Sequence, residues 1–197
     1  MKRLEYALVA PSRERTITSR RVYSGEKLNL RVDVVELPNG NRATREIIET
    51  THGVAIIALI RREVLMVRHY RHALGFLGLE LPGGGVKPNE SPRRAAQREL
   101  AEETGFKAKA LRKVLDVYPS CGHSNEVTHI FTATQLYQAG EEQPKDELVQ
   151  VVSIPLERTP ALMKKGTIKD AKTIAGLLFF LKSNKRRLIG RHNHKYR

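Results

Sequence analysis

Cysteine, long apolar runs and C-terminal acid are all scarce in this 197-residue chain, and each shortage narrows what it can be. A single cysteine, Cys121, excludes an internal disulfide and accords with a reducing compartment, so the cytoplasm is the expected location. The longest apolar run, Val54–Ile60, is strand-sized and far short of the roughly 20 residues that cross a bilayer. No membrane role is therefore expected, and the opening Met1-Lys-Arg-Leu-Glu lacks the apolar stretch of a signal peptide. No internal repeat or low-complexity linker is present. The length fits one large domain, or one domain with a small added layer.

Acid is absent from Lys182 onward, where Lys182, Lys185, Arg186, Arg187, Arg191, Lys195 and Arg197 carry half of the formal net charge of +14. A solvated basic tail over 184–197 is the plain reading. An electrostatic tether to RNA or another polyanion is the sharper one, and nucleic acid is expected only through this tail. Its one Phe/Tyr/Trp residue is Tyr196, between Lys195 and Arg197, too little to lay out a stacking platform for bases.

The first fifty residues read as strands. Leu28, Leu30, Val32 and Val34 alternate with polar residues, and Leu37-Pro-Asn-Gly-Asn41 supplies a turn. This meander, residues 1–50, is too small to form a core alone. Residues 51–183 then hold the main domain. Val54–Ile60 and Val64–Arg68 flank Arg61-Arg62-Glu63 as a tight hairpin, and a short strand at Leu79–Leu81 enters Pro82-Gly-Gly-Gly85. Ser91-Pro92 opens a helix with a side-chain cap and a proline at its first position, and Gly105 closes it. Further strands are predicted near Leu111–Tyr118, Val127–Leu136 and Val149–Ile154, with helical segments near Leu156–Lys165 and Asp170–Ser183. Interleaved strands and helices give an α/β or α+β class with a mixed sheet.

The chemistry is concentrated on the helix that follows Pro92. Glu99, Glu102 and Glu103 fall at i, i+3 and i+4, which puts three like charges on one helical face. They also lie towards the helix C-terminus, where the macrodipole disfavours negative charge. A cation gathered between them would reverse both penalties, and carboxylate oxygens are the donors Mg²⁺ prefers. The bland alternative is a solvated acidic face neutralised by Arg94 and Arg98.

The segment around the helix decides between these readings. Gly84-Gly-Val-Lys-Pro-Asn-Glu90, seven residues, and Arg98-Glu99-Leu100-Ala101-Glu102-Glu103-Thr104-Gly105-Phe106 resemble the Nudix box, G-x5-E-x7-R-E-U-x-E-E-x-G-U with U apolar, at all nine specified positions over 23 residues. Flanking stretches are similar to the ADP-ribose pyrophosphatase branch of that family: Val64-Leu-Met-Val-Arg68-His-Tyr-Arg71, Glu80-Leu-Pro-Gly-Gly84, and the loop Tyr118-Pro-Ser-Cys-Gly-His-Ser-Asn-Glu126.

The resemblance implies an α/β/α sandwich with a mixed sheet plus an N-terminal antiparallel β layer. It implies divalent metal, Mg²⁺ or Mn²⁺, held by Glu99 and Glu103, with Glu102 direct or through water and the Gly83 carbonyl joining them. Arg98 and Glu90 would orient the helix and its carboxylates, and Glu126 or Glu102 would be the general base. Arg71, Glu80 and Gly84 would contact a substrate, and the N-terminal strands would contribute to a homodimer. ADP-ribose, cleaved to AMP and ribose 5-phosphate, is the expected substrate. Other nucleoside diphosphate sugars, dinucleoside polyphosphates and oxidised nucleotides are the alternatives, as is a module that binds nucleotide or RNA without turnover. One residue departs from the branch: Cys121 stands where proline is usual, sixteen residues beyond Gly105. A Cys121–His123 nucleophile is a minor reading, and His69 and His72 read as strand or loop residues.

Overall fold

The computed structural model describes residues 13–140 and 149–184, in two compact units. The basic run after Asn184 lies outside the described residues.

The smaller unit comprises the chain up to Thr50 together with Ser120–Asn125. Its three antiparallel strands, β1 (Arg15–Ser24), β2 (Leu28–Glu36) and β3 (Arg42–Thr50), lie in sequence order. Between β2 and β3 the chain reverses at Gly40, whose φ of 81° suits a residue without Cβ. There the Gly40 N–H donates to the Leu37 carbonyl at 2.9 Å. Cross-strand ion pairs reinforce the ladder: Arg21 and Arg31 share Glu49 at 2.7 and 2.6 Å, and Arg15 pairs with Glu36. The loop 120–125 adds a short parallel rung. Ile48 donates to the His123 carbonyl at 2.8 Å, and Thr50 donates to the Asn125 side-chain oxygen at 2.9 Å.

Leu28, Leu30, Val32 and Val34, whose alternation with polar residues reads as a strand, all lie on β2. They do not form its buried face. Leu28 is instead exposed, Leu30, Val32 and Val34 are half-buried, and the buried pair is Asp33 and Val35. Among the described residues of this unit no helix covers either face of the sheet, so strict inside–outside alternation has nothing to act on.

The larger unit is built on a six-stranded sheet. Its strands are β4 (Gly53–Ile60), β5 (Glu63–Arg71), β6 (Phe76–Glu80), β7 (Phe106–Val117), β8 (Thr128–Gln138) and β9 (Val149–Pro155). The order is β6-β5-β4-β8-β7, with β9 paired to β5. The β4–β8 pair is parallel and the rest antiparallel, so the sheet is mixed. Helices α1 (Pro92–Thr104), α2 (Thr159–Lys164) and α3 (Ala171–Ser183) complete the unit.

Successive side chains of β4 explain its continuous apolar run. Val54, Ile56 and Ala58 pack with Ala96, Leu100 and Phe131 in the cluster that includes α1, while Ala55 and Ile57 pack with Met66, Ile130 and Leu177 in the cluster that includes α3. A strand covered on both faces has no polar side to show, and the result is a helix–sheet–helix sandwich. Gly176 lets α3 approach closely, since a Cβ there would lie 3.2 Å from Ile130. Among the described residues no helix is long and apolar enough to cross a membrane.

Candidate active site

The glycine-rich turn after β6 acts as a rib laid along β4. Ile56 donates to the Pro82 carbonyl and Val54 to the Gly84 carbonyl, each at 2.9 Å, and Val86 donates to the His52 carbonyl at 2.8 Å. Two glycines are required here for different reasons. A Cβ on Gly83 would sit 2.0 Å from the Val54 carbonyl oxygen, a clash with backbone that cannot relax cheaply. A Cβ on Gly84 would sit 2.5 Å from the Glu99 carboxyl carbon. The first glycine lets the rib dock on the sheet, and the second leaves room for a carboxylate.

Helix α1 delivers those carboxylates. Ser91 caps its N-terminus by accepting from the Arg94 N–H at 3.3 Å, Pro92 occupies the first turn, and Gly105 (φ 73°) ends it by donating to the Ala101 carbonyl. Ala95, Ala96 and Leu100 fix the buried side of the helix against the sheet. That rotation turns Glu99 and Glu103 towards the glycine rib, where they are only 8% and 3% exposed. Glu103 Oε2 accepts from the Gly83 N–H at 2.8 Å.

Arg98 organises the rest. It binds Glu90 through two parallel bonds of 2.9 and 2.8 Å, reaches Glu99 at 2.6 Å and Glu102 at 2.9 Å, and donates to the Gly85 carbonyl at 2.8 Å. The fork geometry of a guanidinium is what makes so many acceptors reachable from one side chain. Hydrogen bonds from Arg98 hold the Glu90 carboxyl at about 2, against partial burial, with the Lys87 N–H assisting. The same bonds, those to Glu90 first, raise Arg98 further above its already high ordinary value. The single positive charge of Arg98 thus meets three carboxylates, those of Glu90, Glu99 and Glu102, which leaves an excess of acid around it.

That excess, the hard oxygen donors and the space kept open by Gly84 fit a divalent cation of the Mg²⁺ type. Among the described residues no group of three or more His, Cys, Asp or Glu closes into a ready-made cage. Arg98 holds Glu99 and Glu102 instead. Mg²⁺ itself favours one or two carboxylates completed by water and phosphate oxygens over an all-protein cage, so such a half-open donor set suits it.

Glu126 immediately precedes β8. Its Oε1 accepts from Thr128 Oγ1 at 3.4 Å and lies 3.9 Å from where a Gly53 Cβ would be. Gly53 in turn bridges Gly85, so Glu126 sits at the rib end of β4. In the loop before it, His123 Nε2 engages Ser120 Oγ at 2.8 Å, and Cys121 is exposed. Histidines 69 and 72 lie on β5 and in the turn that follows it.

Arg71 and Glu80 come together as a two-pronged pair at 2.9 and 2.7 Å, with Glu80 buried. Three residues that the sequence did not single out complete this corner. Lys172 Nζ donates to Glu80 at 3.0 Å and to Asp170 at 2.8 Å; Asp170 caps α3 by accepting from the Thr173 N–H at 2.9 Å; and Thr173 Oγ1 accepts from the Leu81 N–H at 2.9 Å. Burial works to raise the Glu80 carboxyl, but Arg71 and Lys172 outweigh it and hold the group at about 2. A signal was present in the sequence: Asp170 and Thr173 have cap spacing, and Lys172 carries a cation into a first helical turn that disfavours one.

The NUDIX domain matches residues 50–177, and the nucleoside diphosphate sugar hydrolase N-terminal domain matches residues 14–48. An ADP-ribose pyrophosphatase of Bacillus subtilis (strain 168) is 37% identical over 163 residues, 81% of this chain and 88% of that protein. A methanol dehydrogenase activator of Bacillus methanolicus is 33% identical, over 84% of this chain and 91% of that protein. A solved structure described as ADP compounds hydrolase superposes with a TM-score of 0.80 at 22% identity, covering 89% of this chain and 96% of that one. At that identity the superposition speaks to the fold.

Proposed function

This chain belongs to the NUDIX domain family, and on that premise we propose that it hydrolyses the diphosphate of ADP-ribose to AMP and ribose 5-phosphate. The observation that carries the proposal is the pair of buried carboxylates at the rib: Glu99, for which Gly84 leaves room, and Glu103, which accepts from the Gly83 N–H. An apolar or neutral helix face would be the stable choice at such a place, so the retained charges answer to a ligand.

Mg²⁺, or Mn²⁺ in its place, would be held by Glu99, Glu103 and Glu102 with the Gly83 carbonyl. When bound, it polarises phosphate oxygens and lowers the pKa of water. The side chains of this chain do the rest. Arg98, braced by Glu90, keeps the glutamates in register, a supporting task of the kind that tunes metal sites. Glu126 or Glu102 takes the proton of the attacking water. Arg71 clamps a phosphate by exchanging one acidic partner for another, while Lys172 stays on Glu80 and keeps that buried carboxylate paired. Glu80 and Gly84 line the substrate side of the rib. Catalysis of this kind rests on positioning and charge neutralisation more than on covalent chemistry.

The runner-up keeps the reaction and changes the substrate to another nucleoside diphosphate sugar, and the domain matched over residues 14–48 favours it. A binding module without turnover is disfavoured by the retained acidic face. Parallel kcat/KM measurements on ADP-ribose, ADP-glucose, GDP-mannose and diadenosine polyphosphates with Mg²⁺ decide among them. ADP-ribose is expected to lead by at least tenfold, and equal turnover of a sugar nucleotide would transfer the assignment to the runner-up.

The proposal extends to organisation. Residues 1–50 serve substrate and subunit contacts, residues 51–183 carry the chemistry in the cytoplasm, and the basic tail 184–197 is the one part through which a nucleic acid would be held. The unit of function is a homodimer. Light scattering should return twice the chain mass of 22.3 kDa, and a monomer at working concentration would refute it.

A further inference from the structure

Away from the glutamates, the larger unit has a recess of about 400 Å³ that none of the foregoing uses. That volume falls within the range of small-molecule sites, roughly 300–1,000 Å³. Its floor is Thr132 and Thr134 of β8, with Arg112 of β7 directly opposite Thr132 in register. Phe180 of α3 supplies an aromatic wall. Arg93, from the first turn of α1, reaches over the edge strand and donates to the Leu111 carbonyl.

The two guanidiniums set this recess apart. Among the described residues neither Arg93 nor Arg112 is paired with a carboxylate, whereas Arg71, Arg98, Arg31 and Arg45 all are. Two unneutralised cations on the rim of a partly apolar recess invite an anion, and a fork donor favours phosphate over a spherical ion. The aromatic wall and the threonine hydroxyls suit the organic portion of the same ligand. The basic run after Asn184 carries the wrong charge to fill it.

Position makes the site separate from the first. Thr132 and Thr134 lie four and six residues along β8 from Thr128, which at about 3.3 Å per residue is roughly 13–20 Å. Arg93 precedes Glu99 by six residues on α1, about 9 Å along the helix axis. We propose that this recess is a second binding site, specific for a nucleoside mono- or diphosphate, with the phosphate on Arg93 and Arg112 and the base against Phe180. Because Arg93 and the glutamates share α1, occupancy bears on the same helix that carries the reaction, although the binding claim stands without any hydrolytic activity.

Calorimetric titration of ADP into the full chain tests it, with EDTA present to suppress metal-assisted binding at the glutamates. ADP is expected to bind the parent chain and Glu103→Gln alike, to bind more tightly than adenosine or inorganic pyrophosphate, and to weaken at least tenfold in Arg112→Gln and in the Arg93→Gln/Arg112→Gln double variant. Both arginines are exposed, so these variants should fold, which circular dichroism verifies. Unchanged ADP affinity in the double variant overturns the proposal, as does loss of binding in Glu103→Gln alone.

Discussion

Replacing Glu103 with glutamine should lower kcat on ADP-ribose by about two to three orders of magnitude while leaving the protein at least as stable as before. Both halves follow from the same geometry. Glu103 is buried, and its Oε2 accepts from the Gly83 N–H at 2.8 Å. A glutamine oxygen can accept that bond in the same place, so the rib keeps its anchor and the fold persists. What disappears is one negative charge from a cluster in which Glu99, Glu102 and Glu103 face one another within a turn. Removing a like charge at i,i+4 relieves repulsion worth some tenths of a kcal/mol. Activity and stability should therefore move in opposite directions, the signature of a site kept charged for function. Steady-state kinetics with Mg²⁺ and thermal unfolding in EDTA read the two quantities. Undiminished metal-dependent turnover would remove Glu103 from the metal set.

Arg98→Met should do the reverse to stability, costing roughly 3 kcal/mol, because it strands partly buried carboxylates that now have a common partner. The side chain of Arg98 is 19% exposed and holds Glu90, Glu99, Glu102 and the Gly85 carbonyl together. Acid titration gives this variant a distinctive signature. Glu90 is depressed from 4.5 to about 2 in the folded chain, so its contribution to stability is complete above the unfolded value. It is lost as pH falls from about 4.5 towards 2. Glu80, held at about 2 by Arg71 and Lys172 against its burial, behaves in the same way. The parent chain should thus lose stability steeply through that window in urea unfolding. Arg98→Met should show a shallower slope, retaining the Glu80 share and losing that of Glu90. Arg98→Lys keeps the charge but not the fork, and should fall between the two. An unaltered acid slope in Arg98→Met would place the coupling of Glu90 elsewhere.

These residues show where sequence reading succeeds and where it stops. The α1 glutamates, the capping Ser91 and Pro92, and the closing Gly105 lie close together in the chain, and their spacing maps directly onto helical geometry. Gly83 and Gly84 were legible as a turn, but not their separate duties, because the Val54 carbonyl and the Glu99 carboxylate that each accommodates come from other elements. The Glu80–Lys172 contact joins residues 92 apart in sequence. No periodicity carries such a pairing, only the packing that brings α3 to the end of β6. Pairing of β9 with β5 was hidden for the same reason. In the smaller unit the alternation of Leu28, Leu30, Val32 and Val34 marked the strand β2 but did not show which of its residues are buried, Asp33 and Val35. Helix caps and turns set by neighbours in sequence were therefore readable, and pairings such as Glu80–Lys172, made across the fold, were not.

The central claim is that the face of α1 formed by Glu99, Glu102 and Glu103 drives metal-assisted hydrolysis of a diphosphate. Phosphorus NMR of ADP-ribose incubated with the full chain tests it most directly, in Mg²⁺ and in excess EDTA. The account predicts loss of the diphosphate resonances and appearance of two monoester signals, AMP and ribose 5-phosphate, with Mg²⁺ only. An intact diphosphate under both conditions, or equal cleavage with EDTA, would contradict it.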